Sequence, residues 1–244
     1  MRYNKIKTLF IFLILLFTTI QLGAEGDSKG KDVRLSKTAG SPSRTHFNIN
    51  NVSTWIYNNG DSDIKPDGNS GFIFPKGSNL AAIFESGFVW GASVDGELRV
   101  GGSTYSQGLL PGRVLPNGQR EVGVEGDRVR IFRVRKDYAN GDLGAEINDG
   151  EGTEEQIRAQ YALDWTEWPA EYGAPYEDVN GDGVYSADVD IPGFPGADQT
   201  IWYVANDLDT STARSLYGSD PMGIELQATF WGYKSSSALG NTLF

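Results

Sequence analysis

Residues 178–190 read Asp-Val-Asn-Gly-Asp-Gly-Val-Tyr-Ser-Ala-Asp-Val-Asp. Side-chain oxygens at alternate positions, followed by glycine at the sixth, are what a backbone needs to wrap a hard cation. Asp178, Asn180 and Asp182 take positions 1, 3 and 5 of an EF-hand-like loop, and Gly183 takes the sixth. The backbone carbonyl of Val184 would serve position 7. The template closes with Glu at position 12, where this chain has Val189, so the closing carboxylate has to come from Asp188 or Asp190. Pro175 and Pro192 leave little room for flanking helices, so the loop is expected between strands. The same residues could form a solvated acidic turn without metal, because Asn-Gly and Asp-Gly turn readily. The five carboxylates from Glu177 to Asp190 repel one another unless neutralised, which favours an ion. The expected ligand is a structural Ca2+, bound with a Kd on the order of 10⁻⁴ to 10⁻³ M as in extracellular modules.

The compartment follows from the first 24 residues. They carry Arg2, Lys5 and Lys7, no acid, an apolar run from Leu9 to Phe17 and a small-residue exit at Gly23-Ala24. That is the pattern of a secretory signal peptide over 1–24. The run is short for a membrane span, which needs roughly 20 apolar residues. No transmembrane segment is expected in the mature chain. Residues 25–43 are rich in Gly, Ser, Lys and Asp and read as a flexible leader.

The whole chain has a net charge of -11, and loss of three basic residues with the signal leaves 18 basic against 32 acidic, near -14. This balance disfavours nucleic acid and anionic membrane surfaces as partners. There is no cysteine, which excludes disulfides, thiolate metal sites and cysteine catalysis.

Residues 44–244 read as one β-rich domain, all-β and antiparallel, sandwich-like, with one short inserted helix near 153–165. Asp95-Gly96 between two extended runs is a two-residue hairpin signal. Val129 to Lys136 alternates as a half-exposed strand with its basic side to water. Further strands are expected at Val52 to Tyr57, Thr200 to Ala205 and Ile224 to Tyr233. Thr153 and Gln156 form a capping-box pair at the start of a helix whose Ile157, Tyr161 and Trp165 share a stripe. Asp61 to Ser70 reads as a solvated turn region. The end at Gly240 to Phe244 reads as a strand cut in mid-course, with the domain expected to continue beyond it; the alternative is a C-terminal strand docked in a sheet.

The residues assemble no catalytic set. His46 is the only histidine, and at the leader boundary it reads as a surface residue. Glu225 lies on an alternating strand, and Glu167 and Glu171 flank Trp168. Aromatics beside acids are what a sugar-binding face looks like, but nothing in the sequence places two carboxylates at the separation glycoside hydrolysis requires. The six tryptophans read mainly as core.

The run 82–100 (Ala-Ile-Phe-Glu-Ser-Gly-Phe-Val-Trp-Gly-Ala-Ser-Val-Asp-Gly-Glu-Leu-Arg-Val), with Tyr105 and Leu110-Pro111-Gly112, resembles the N-terminal region of large secreted proteins of Bacteroidetes and Ignavibacteria-type bacteria. So do 178–190, Asp198-Gln199-Thr200-Ile201-Trp202 and Gly223-Ile224-Glu225-Leu226-Gln227. Those proteins commonly end in a type IX secretion sorting domain, which is not visible in this chain. The resemblance implies export through the outer membrane and attachment at the cell surface. The expectation is a secreted or outer-membrane-surface structural or adhesive protein, not an enzyme, with a structural calcium loop. The alternative is a carbohydrate-binding module or glycoside hydrolase portion of a polysaccharide-degrading system. Partners would be extracellular glycan or cell-surface components.

Overall fold

The computed structural model describes residues 43–122 and 129–244. The signal-peptide reading of 1–24 and the leader reading of 25–43, Ser43 excepted, lie outside the described residues. Along the chain run β1 (Arg44–Phe47), β2 (Thr54–Tyr57), β3 (Asp61–Ser62), β4 (Phe72–Ile73), β5 (Ala81–Ile83), β6 (Ser86–Gly87), β7 (Val89–Val94), β8 (Glu97–Gly102), β9 (Leu110–Pro111) and β10 (Phe132–Arg135). Then come α1 (Gly144–Asn148), α2 (Glu154–Thr166), β11 (Tyr176–Glu177), β12 (Ile191–Pro192), β13 (Gln199–Asn206), α3 (Thr210–Tyr217) and β14 (Glu225–Gly232).

The pairing is antiparallel throughout these strands, in several sheets and with no closed barrel. One sheet has the order β1-β2-β3-β6. A second has the order β10-β13-β14, with β9 also paired to β13. β13 is buried on both faces, and its period of two explains why. Ile201, Tyr203 and Ala205 join Phe47, Ile49, Val52, Ile56 and Leu109 in one core cluster. Trp202 and Val204 join Phe132, Val134, Trp168 and Ala174 in another. Phe244 exchanges two backbone hydrogen bonds of 3.0 Å with Trp231 and stacks on its ring, extending the pairing along β14.

Local signals are realised closely. Asp95 (φ 53°) and Gly96 (φ 85°) turn β7 into β8, both with the positive φ such a turn demands. The hairpin is not core: Val89 is 59% and Leu98 80% exposed. Thr153 caps α2, its hydroxyl accepting from the Gln156 amide while the Gln156 side chain accepts from the Thr153 amide. Thr153→Ala is expected to cost about 1 kcal/mol, read as a lower urea midpoint with an unchanged slope.

The expectation of a single helix is too low by two. α3 is capped by Asp209, which accepts from the Thr212 amide, and ends at Gly218 in the left-handed region. α1 is a short five-residue turn of helix. No helix among the described residues is long and apolar enough to cross a membrane.

The largest departure concerns β10. The alternating strand does not turn its arginines to water: Arg130, Arg133 and Arg135 are each no more than 5% exposed. The segment that covers them carries the matching acids. Arg130 pairs with Asp164 at 2.9 Å, Arg133 with Glu151 at 2.6 Å and Arg135 with Glu146 at 2.8 Å. The Tyr161 hydroxyl donates to Glu146 and accepts from Gln199, tying α2 to β13.

His46 also departs from expectation, at 2% exposed. It stacks on Trp55 at 4.8 Å, its Nε2 lies 3.1 Å from Ser53 Oγ, and its Nδ1 lies 2.6 Å from Asp149 Oδ2. Glu151, the partner of Arg133, also lies 3.8 Å from His46 Nδ1.

Candidate functional site

The 178–190 loop is the tip of a small ribbon. β11 and β12 pair at its base, Tyr176 with Pro192 and Glu177 with Ile191, so strands flank it as the prolines indicated. Inside the loop, side-chain oxygens take up backbone amides. The Asp178 carboxylate accepts from Gly181 (2.7 Å) and Gly183 (2.8 Å). Asn180 Oδ1 accepts from Asp182, and Asp182 Oδ1 accepts from Val184. Gly181 and Gly183 have φ of 73° and 74°, which lets the chain coil this tightly.

Asp190 and Asp188 differ. Asp190 is buried, and its two oxygens accept from Val179 (3.0 Å) and Ser186 (2.7 Å), binding the ends of the loop together. Asp188 is exposed.

Among the described residues no three His, Cys, Asp or Glu side chains group so as to hold a metal. A calcium ion would therefore need amide and carbonyl oxygens beside its carboxylates. The fit is to Asp178, Asn180, Asp182 and the Val184 carbonyl, with each side-chain oxygen keeping a second lone pair. Asp188 is available toward solvent, whereas Asp190 serves as a staple.

The loop folds back on the end of α2. The Tyr185 hydroxyl donates to the Trp165 carbonyl, and Trp165 Nε1 donates to the Ala187 carbonyl at 3.2 Å. Beyond α2, Trp168 Nε1 donates to the Pro175 carbonyl at 2.9 Å, and Gly173 (φ 104°) reverses a one-turn 3₁₀ helix at Ala170–Tyr172.

Between these walls opens a cleft of about 600 Å³. Trp168, Tyr172, Tyr176 and Tyr185 line it, with Glu167, Glu171 and Arg130 as its charged groups and Gly183 and Val184 from the loop at its rim. Tyr176 and Tyr185 meet edge to face, centroids 5.5 Å apart and planes at 75°. Arg130 lies 4.0 Å over the Phe132 ring and bridges buried Asp164 and half-exposed Glu167. Arg113 sits 3.5 Å from the centroid of Tyr172. The Tyr176 hydroxyl is held above its ordinary value, by desolvation first and then by Asp178, Asp190 and Asp182. Few convergent polar groups in a mostly aromatic concavity are the usual makeup of a small-ligand site.

Of the residues singled out in the sequence, Glu167, Trp168 and Glu171 meet in this cleft, and Val184 reaches it from the loop. Glu225 does not: its carboxylate accepts from the Val114 amide at 2.7 Å and from Gln227 Nε2 at 2.9 Å. Tyr172, Tyr176 and Tyr185 gave no sequence signal beyond their aromatic character, because only the fold-back of the loop brings them together. The Ser53, His46 and Asp149 chain has the connectivity of a nucleophile, base and orienting acid. Ser53 is 5% exposed and lines neither this cleft nor a shallower one around Asn51 and Lys234, so the chain is read as a tie within the fold.

The turn region after β2 is more built than its composition suggested. Asp63 (φ 67°) is buried and accepts from the hydroxyls of Thr54 (2.6 Å), Ser62 and Ser86. Beside it, Asp61 Oδ1 is enclosed without a hydrogen-bond partner. Burial first, then Glu85, pushes the Asp61 carboxyl up from 3.8 to about 7, with Asp63 adding to the rise and the Ser62 amide opposing it. The folded chain thus holds this proton where the unfolded chain has released it, so the stability associated with Asp61 is complete below about pH 4 and is lost as pH rises to about 7. Asp61→Asn is expected to raise the urea midpoint at pH 8 relative to the parent and to leave it nearly unchanged at pH 4. Equal midpoints at both values would refute the assignment.

No protein-family model, no curated protein and no solved structure matches the chain.

Proposed function

We propose that the protein is a secreted, non-catalytic adhesive or structural protein of the cell surface that holds glycan in the cleft between the end of α2 and the 178–190 loop. The observation that carries this reading is the cleft itself: four aromatic side chains around two carboxylates and an arginine, in a volume of about 600 Å³. Sugar rings stack their C–H faces on aromatics and hydrogen-bond their hydroxyls to planar charged groups, and both kinds of group are present. A structural Ca2+ in the loop would neutralise its acids and stiffen the rim that bears Val184 and Tyr185. We further propose a sandwich-type architecture in which the β1-β2-β3-β6 sheet faces the β10-β13-β14 sheet across the shared cluster of Phe47, Ile56, Ile201 and Tyr203.

A glycan array followed by isothermal titration in calcium-containing buffer tests the reading. The expected result is saturable binding of one sugar class, weakened about ten-fold or more by Tyr176→Ala while the unfolding temperature stays within a few degrees. Binding unaffected by Tyr176→Ala would place the ligand elsewhere, and silence across the array would remove the glycan reading.

A further inference from the structure

We infer that the outer edge of β7 is a dimer interface, where β7 of a second copy of this chain adds in antiparallel, two-fold pairing. β7 and β8 form a sheet of two strands only. A two-stranded ribbon alone is marginal in water, and further strands are what stabilise it. Hydrogen-bonded and non-hydrogen-bonded pairs alternate along such a ribbon. The Phe88 carbonyl accepts from the Ser103 amide at 2.8 Å, whereas the amide of Val100, the residue opposite Gly91, turns outward to the Ser219 hydroxyl. The amides and carbonyls of Val89, Gly91 and Ser93 therefore face away from β8. Among the described residues nothing hydrogen-bonds to them. The β8 edge is instead met by its own chain, at Ser219 and at the Pro221 carbonyl, which accepts from the Arg99 guanidinium.

The β7 edge fits a copy of itself. It reads Val-Trp-Gly-Ala-Ser-Val, with no lysine, no proline and no bulge in its register, so it carries none of the devices that keep edges apart. The chain has a net charge of -11, so two copies repel over most of their surfaces, and an uncharged strand is where they can meet. Two-fold pairing centred on Gly91 is self-complementary. Val89 then stands beside Ser93 of the partner subunit, and Gly91 beside Gly91 of the partner subunit, so no like charges and no two bulky side chains are opposed. Antiparallel pairing also sends the two acidic tips, each at Asp95 and Glu97, to opposite ends of the joint. Val89 (59% exposed) shares one face of the ribbon with Ser93 and its cross-strand neighbour Leu98 (80% exposed). Four strands in place of two give that apolar face the width the ribbon lacks. None of these residues lines the aromatic cleft, so the interface is separate from the proposed glycan site.

Sedimentation equilibrium of the purified protein tests the state of association. A short edge-to-edge joint is a small interface, so a monomer–dimer equilibrium with a Kd on the order of 10⁻⁵ M is expected. Ser93→Lys, which places an ammonium on the exposed face at the joint, should weaken association roughly ten-fold or more while the thermal midpoint of the dilute protein stays within a few degrees. Cross-linking tests the register. The chain has no cysteine of its own, and a Cβ at Gly91 would meet only the Arg99 carbonyl, at an ordinary 3.5 Å. Across the two-fold the Cα atoms at this position would lie about 5.5 Å apart, within disulfide range. Gly91→Cys should therefore oxidise to a covalent dimer much faster than Leu98→Cys, which is as accessible but lies on the outer strand of the joined sheet. A monomer at every concentration overturns the inference, as does dimerisation unchanged by Ser93→Lys or equal cross-linking of the two cysteine variants. Growth beyond two copies overturns it as well, because two-fold pairing closes on itself.

Discussion

Arg133→Met is expected to lower the unfolding free energy by about 3 to 5 kcal/mol, enough to shift the thermal midpoint by about 10 °C in a domain of this size. Arg133 is buried, and both of its terminal nitrogens are hydrogen-bonded. Its Nη1 donates to Glu151 Oε1 (2.9 Å) and to the His46 carbonyl (2.8 Å), and its Nη2 donates to Glu151 Oε2 (2.6 Å). Its guanidinium also lies 4.6 Å over the Tyr161 ring. Burial alone would discourage the charge, but Glu151, Tyr161 and Glu146 outweigh it and hold Arg133 firmly protonated. Methionine keeps most of the volume and removes the charge, so Glu151 is left as an uncompensated buried carboxylate beside Asp149 and His46. Removing that carboxylate as well should restore much of the loss. The double variant Arg133→Met with Glu151→Leu is expected to be more stable than Arg133→Met alone, because the large penalty belongs to the stranded charge and not to the missing pair. Guanidinium unfolding of the three proteins settles this. A single variant within about 1 kcal/mol of the parent would show that the network is looser than its geometry.

Calcium is expected to raise the thermal midpoint, and Asp178→Ala combined with Asp182→Ala is expected to abolish that rise. With a Kd of about 10⁻⁴ to 10⁻³ M, 10 mM calcium should stabilise the folded protein by about 1.4 to 2.7 kcal/mol, or roughly 3 to 10 °C. The double alanine variant should match the parent in chelator more nearly than in calcium, though it also loses acceptors for the amides of Gly181, Gly183 and Val184. Asp190→Ala provides the contrast. Asp190 holds Val179 and Ser186 and lies apart from the oxygens assigned to the ion, so its loss should lower the midpoint with and without calcium. Equal midpoints for the parent in calcium and in chelator would remove the ion from the account.

The parts of this fold that could be read from the sequence are those decided by neighbours in the chain. The Asp95-Gly96 turn needs only two residues tolerant of positive φ. The Thr153 and Gln156 cap needs two side chains three apart. β13 and β14 carry enough β-branched and aromatic residues to declare themselves. The misreadings share one cause. Val-Arg-Ile-Phe-Arg-Val-Arg alternates as an exposed strand does, and only the arrival of Glu146, Glu151 and Asp164 from later in the chain makes a buried basic face tolerable. His46 was misplaced for the same reason, since Asp149 lies more than a hundred residues away in sequence. In the cleft, Trp168 between Glu167 and Glu171 was visible as a pattern. Tyr185 was not, because its place depends on a single tertiary hydrogen bond to the Trp165 carbonyl.

Hydrogen exchange of the calcium-loaded protein, with and without a saturating oligosaccharide found on the array, is the most direct measurement. The account predicts slowed exchange at residues 166–172 and 183–185, the two walls that the ligand would bridge, with little change in the β1-β2-β3-β6 sheet. Protection confined to the exposed β7-β8 hairpin, or no protection at either wall, would contradict it.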